Sequence, residues 1–93
     1  MKNSNEFEEY AEILKVIGHP VRLIILAGLM EKTSCVKDIW DCLGLPQATV
    51  SQHLSVLKNK RIIKSKKIGV KREYSVENPI VKNILQILLR EIK

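Results

Sequence analysis

Aromatic residues are scarce in this 93-residue chain, with one Trp, two Tyr and one Phe making up 4% of it. Cysteine is scarcer than a disulfide scaffold requires: Cys35 and Cys42 stand alone, and their spacing matches no zinc module. On one helix the two would lie about 10.5 Å apart along the axis, whereas an intramolecular disulfide needs Cα atoms within about 7 Å. No apolar run approaches the roughly 20 residues of a membrane span, and the N-terminal MKNSNEFEEY has no signal-peptide core. A cytoplasmic protein in a reducing compartment, without a membrane partner, is the expectation. Acid–base pairs at catalytic spacing and phosphate-cradling glycine loops are also missing. Neither His19 nor His53 can be set beside Cys35 as a base from the sequence, so no enzyme and no cofactor are expected.

What is present suits a small folded domain. Apolar residues make up 45% and charged residues 28%, which excludes a disordered chain. One domain over residues 1–93 is expected, with 1–5 as a frayed tail. A chain this short buries only about 60 to 65% of the surface its unfolded form exposes, so partner contacts would help it. The net charge of +6 is unevenly placed. Residues 58–72, KNKRIIKSKKIGVKR, carry eight basic and no acidic side chains, while residues 1–57 sum to −2 and residues 73–93 to zero. A basic cluster on an otherwise neutral domain is the electrostatic footprint of a polyanion.

Periodicity organises the chain. From Glu6 onward Phe7, Tyr10, Ala11, Leu14 and Ile17 recur at helical steps, with Ser4 or Asn5 as cap and Glu6, Glu8 and Glu9 near the positive end of the dipole. Gly18 ends this helix, and Pro20 suits the first turn of the next, Val21 to about Glu31. That second helix carries Leu23, Ile24, Ile25, Leu26 and Leu29 and reads as the buried centre. Thr33 or Ser34 caps a short third helix with Val36, Ile39, Trp40 and Leu43 inward. Gly44-Leu45-Pro46 breaks it, and a fourth helix runs from about Gln47 to Lys60 with Val50, Leu54 and Leu57 inward. Two short helices joined by a Gly-containing turn form a helix-turn-helix. Ile62 to Lys67 and Val70 to Val76 read as strands with Gly69 between them, Val70, Arg72, Tyr74 and Val76 sharing one face. Asn78-Pro79 opens a closing helix with Ile80, Ile84, Leu85, Ile87, Leu88, Leu89 and Ile92. The class is mainly α with a small β-hairpin, in the order α-α-α-α-β-β-α.

The fourth helix turns Ala48, Ser51, Gln52, Ser55 and Asn59 away from its apolar stripe, with Thr49 at the edge. Such a slim, uncharged face suits the major groove of double-stranded DNA: Gln bonds bidentately to adenine, Ser and Thr to several base edges, and Ala to the thymine methyl. Candidate base-reading residues are therefore Gln47, Ala48, Thr49, Ser51, Gln52 and Ser55. Lys58, Lys60, Arg61, Lys66, Lys67, Lys71 and Arg72 follow as candidates for phosphates or the minor groove. A protein-interaction module docking an acidic partner on the basic hairpin is the alternative. His53, on the flank of the stripe, reads as a half-buried hydrogen-bonding residue, and His19 as a helix-junction residue.

The segments AEILKVIGHPVRLIILAGL and GLPQATVSQHLSVLKN resemble the ArsR/SmtB family of bacterial winged-helix repressors, and RIIKSKKIGVKREYSV resembles the family's wing. The resemblance implies a winged helix-turn-helix fold, a recognition helix at Gln47 to Lys60 and a wing at Ile62 to Val76. It also implies a homodimer through the first and last helices, an imperfect palindromic operator, and release of DNA when an inducer binds. The family's C-V-C-D-L metal motif corresponds to Cys35-Val36-Lys37-Asp38-Ile39 here, with a lysine where the second thiolate would stand. The closing helix from Pro79 to Lys93 has no Asp, His or Cys for the family's other metal site, so no metal ligands are assigned. A metal- or metalloid-sensing repressor stays the lesser alternative. Cys35, near a helix start and beside Lys37, is the candidate sensor thiol, with Cys42 as a candidate of smaller weight.

Overall fold

The computed structural model describes residues 4–31 and 43–92. In chain order these form α1 (Ser4–Ile17), α2 (Pro20–Met30), α3 (Gln47–Asn59), β1 (Ile63–Ile68), β2 (Lys71–Val76) and α4 (Pro79–Ile92). The helix expected between Thr33 and Leu43, with Cys35 and Cys42, lies almost wholly outside the described residues. Residues 1–3 do too, but Ser4 and Asn5, expected in a tail, already belong to α1, where Glu6 occupies the first turn.

Local chemistry sets the boundaries. Gly18 approaches the preceding turn so closely that a Cβ there would sit 3.0 Å from the Leu14 carbonyl oxygen. His19 is extended (φ −134°), as a residue before proline prefers, and its Nδ1 accepts the Val21 N–H at 3.1 Å. This cap turns the chain so that α1 and α2 stand at 93°. Gly44, ahead of α3, has φ +67°, the left-handed conformation that glycine adopts without strain. At the start of α4, Asn78 Oδ1 accepts the N–H groups of Ile80 (2.9 Å) and Val81 (3.2 Å), with Pro79 in the first turn.

The end of α3 decides where the wing begins. The Ile62 N–H donates to the Leu57 carbonyl (2.9 Å) and the Arg61 N–H to the Lys58 carbonyl (3.0 Å), the two bonds of a Schellman motif. Arg61 holds the left-handed position at φ +59°, where glycine is usual. Ile62 is thereby committed to the helix terminus, and its carbonyl takes the N–H groups of Glu77 and Asn78. This is why β1 starts at Ile63 rather than at the expected Ile62. Gly69 (φ +63°) and Val70 form a two-residue turn closed by the pair Ile68 and Lys71, so Val70, expected in the second strand, stands in the turn.

The core joins Val16 and Ile17 of α1, Ile25, Leu26 and Leu29 of α2, Val50, Leu54 and Leu57 of α3, Ile62, Ile63 and Val76 of the wing base, and Val81 and Leu85 of α4. Helix α2 supplies the centre of this core, as expected, with Ile24 facing outward. Helix α1 buries Val16 and Ile17 of its last turn and packs Ile13 against the core, leaving Phe7 57% and Leu14 52% exposed. The outer side of α4 also exposes Ile80, Ile87 and Ile92.

Candidate nucleic-acid interface

Burial of Val50, Leu54 and Leu57 fixes which way α3 is rolled, and the roll leaves Gln47, Ala48, Ser51, Gln52, Ser55, Lys58 and Asn59 exposed. Helical periodicity puts Ala48, Gln52, Ser55 and Asn59 at the crest, opposite the buried stripe. Thr49, half-buried, lies on the flank turned to α1 and α2. Contacts with α1, α2 and the junction between them hold that flank. Lys60 pairs with Glu12 of α1 (Nζ to Oε1, 3.3 Å). Arg22 of α2 donates from Nε to His53 Nδ1 (3.2 Å) and from Nη1 to the Val16 carbonyl (2.9 Å). The rings of His19 and His53 lie 4.6 Å apart between centroids, tilted by 48°.

His53 is therefore a half-buried hydrogen-bond acceptor that ties the recognition helix to α2. Burial, then the charges of His19 and Arg22, hold its pKa below the ordinary value of 6.5. Accepting from Arg22 requires Nδ1 to be unprotonated.

The wing stands on the other flank. Its register pairs Ile63 with Val76, Ser65 with Tyr74 and Lys67 with Arg72, all on one face. Along that face the pairs pass from buried aliphatics at the base, through half-buried hydroxyls, to exposed cations near the tip. The opposite face carries Lys64 with Ser75, Lys66 with Glu73, and Ile68 with Lys71. Arg72 Nη1 donates to Ser65 Oγ at 3.1 Å. Where this face meets α3, a cavity of about 180 Å³ is lined by Ser51, Leu54, Ser55, Lys58, Arg72 and Tyr74.

The structure thus brings Lys58, Lys67 and Arg72 to the α3 side of the wing, while Lys66 and Lys71 occupy its outer face. Arg61 is exposed at the wing base, and Lys60 is engaged by Glu12 on the α1 side. Cys35 and Cys42 lie outside the described residues. Sequence reasoning passed over Arg22 and Tyr74. Tyr74 had a signal, its strand parity with Arg72; Arg22 had none, because its partner His53 is 31 residues away. Among the described residues, no three His, Cys, Asp or Glu side chains gather as metal ligands, and no single helix is long and apolar enough to cross a membrane.

Residues 19–65 match the family described as bacterial regulatory protein, arsR family. The transcriptional repressor PagR of Bacillus anthracis is 42% identical over 82 residues, covering 87% of this chain and 82% of PagR. An HTH-type transcriptional regulator of Methanocaldococcus jannaschii is also 42% identical, covering 89% of this chain and 94% of its own. The crystal structure of PagR superposes with a TM-score of 0.82, covering 92% of this chain and 99% of PagR. The antimony-specific transcriptional repressor AntR gives a TM-score of 0.82 at 28% identity, covering 97% and 82% of the two chains. With a polar helix crest, a cationic hairpin beside it and these relatives, the chain belongs to the ArsR family and is a DNA-binding transcriptional regulator with the winged helix-turn-helix fold.

Proposed function

We propose that this regulator represses transcription as a homodimer that lays α3 of each protomer into successive major grooves of an imperfect palindromic operator. The observation that carries this reading is the continuity of two surfaces: the uncharged crest of α3 passes directly into the cationic inner face of the wing. Ala48 and Gln52 at the crest read base edges, with Gln47 and Thr49 on the rims and Ser51 and Ser55 toward the wing. Lys58, Arg61, Lys67 and Arg72 meet phosphates on the α3 side, and Lys66 and Lys71 extend the positive field along the outer face. Exposed Phe7 and Leu14 of α1 and Ile87 and Ile92 of α4 support a dimer through the first and last helices. The protein acts by binding, without catalysis, in the cytoplasm. Cys35 is the proposed target of a thiol-reactive inducer, a reading aided by the antimony-specific relative; operator affinity under peroxide, polysulfide and arsenite, compared with Cys35→Ser, tests it.

The test of the DNA interface is selection from a random duplex library, followed by binding across a salt series. Gln52→Ala lowers the preference for the selected duplex over random DNA. Lys67→Ala weakens both equally and flattens the log–log salt slope by about 1.8, one phosphate contact being lost in each half-site. An unchanged slope for Lys67→Ala, or unchanged preference for Gln52→Ala, would refute the assignment. A basic module for acidic proteins would instead bind every duplex alike.

A further inference from the structure

The cavity between α3 and the wing has a lining of one chemical kind. Ser51, Ser55 and Tyr74 supply hydroxyls, Lys58 and Arg72 supply cations, Leu54 forms the apolar wall, and no carboxylate is present. Among the described residues, no other protein group takes up the hydroxyls of Ser51, Ser55 and Tyr74 or the ammonium of Lys58. Only Arg72 is engaged, by one N–H to Ser65, which orients the guanidinium and leaves its other donors available. The Tyr74 ring packs against the core, so its hydroxyl is a donor held in place with little freedom to lose. Converging donors and positive charge without a carboxylate select an oxyanion. The volume of about 180 Å³ falls below the roughly 300 Å³ at which small-molecule pockets begin, so it suits a single group and not a whole metabolite.

We propose that this elbow seats one backbone phosphodiester of the bound duplex, held by the Tyr74, Ser51 and Ser55 hydroxyls and by Lys58 and Arg72. The proposal rests on the duplex-binding reading above and refines it. Ser51 and Ser55 become positioning contacts that fix how α3 sits in the groove, and discrimination falls to Ala48 and Gln52.

The decisive experiment replaces single phosphates of a selected duplex, one position at a time, by neutral methylphosphonates, with binding to wild type, Tyr74→Phe and Ser55→Ala. One position in each half-site should cost wild type about threefold to tenfold and cost Tyr74→Phe a smaller factor, because the variant has already lost one of the contacts to that phosphate while Lys58 and Arg72 remain. Tyr74→Phe and Ser55→Ala should weaken selected and random duplexes by the same factor and keep the salt slope, whereas Arg72→Gln, which removes one cation from each half-site, lowers the slope by about 1.8. Because the scan alters only the DNA, a loss of folding in a variant does not imitate this result. A scan with no sensitive position, additive losses in Tyr74→Phe, or a changed base preference in Ser55→Ala overturns the proposal. Displacement of the duplex by inorganic phosphate or a nucleoside monophosphate beyond that by chloride at equal ionic strength would also overturn it, assigning the cavity to a free phosphate. If wild type binds no duplex in a salt-dependent way, the duplex reading itself fails, an outcome distinct from a flat scan on a tight complex.

Discussion

Replacing Arg61 by glycine should make this protein more stable and a weaker DNA binder. Arg61 sits at φ +59°, and an L-residue in that region costs about 1–2 kcal/mol against a right-handed conformation. Glycine adopts it freely but widens the unfolded ensemble, which takes back about 0.4–1 kcal/mol. The flanking bonds, Ile62 N–H to Leu57 and Arg61 N–H to Lys58, are made by the backbone and survive the substitution. The net gain is about 0.5–1 kcal/mol, equivalent to a rise in Tm of about 2–8 °C for a domain of this size. Arg61→Ala is the informative control, since it removes the same cation but keeps the positive φ. Thermal melts at matched protein concentration should rank Arg61→Gly above both wild type and Arg61→Ala. Both variants should flatten the salt slope for dimer binding to the duplex by about 1.8 if Arg61 of each protomer meets a phosphate. Equal melting temperatures for the Gly and Ala variants would refute the strain argument. A stable Gly variant with an unaltered slope would refute the phosphate role. The native arginine then exemplifies a strained residue kept at a functional position at some cost in stability.

Other outcomes follow from the same structure. The depressed pKa of His53 means that the unfolded chain binds its proton first. Its contribution to stability is therefore complete above pH 6.5 and is lost as the pH falls from 6.5 through the lower folded-state value; His53→Gln, which keeps an acceptor for Arg22, should shrink this acid-side decline in Tm. Leu14→Glu should shift the protein toward monomer in sedimentation and weaken operator binding, with little effect on the core because Leu14 is 52% exposed. A dimer unaffected by that charge would exclude α1 from the interface. Asn78→Ala removes the acceptor for two α4 amides and should cost about 1 kcal/mol in denaturant unfolding.

Much of this architecture was legible residue by residue. Gly44 occupies the left-handed position its place implied, Gly69 lies in the turn expected between the strands, and Asn78-Pro79 opens the last helix as a cap and first-turn pair. The inward set Val50, Leu54 and Leu57 is buried as helical spacing required, which in turn exposed the polar crest. His53 is the half-buried hydrogen-bonding residue its position on the flank suggested. The first helix has its apolar stripe at the expected spacing, yet most of that stripe faces outward in the single chain. Periodicity reports that a face is apolar and says nothing of what covers it.

Among the described residues, sequence alone determined the helices, the presence of the hairpin and the sidedness of the recognition helix, because caps, left-handed glycines and apolar spacing act within a few residues. Tertiary structure decided how the cations are shared out. A turn one residue longer or shorter would exchange the two faces of the wing, so only the register of Lys67 with Arg72 separates them from Lys66 and Lys71. Likewise, the pairing of Lys60 with Glu12 and of Arg22 with His53 depends on how α1 and α2 cross α3. Those contacts join residues far apart in the chain, where the packing of three helices, and no local preference, sets the distance.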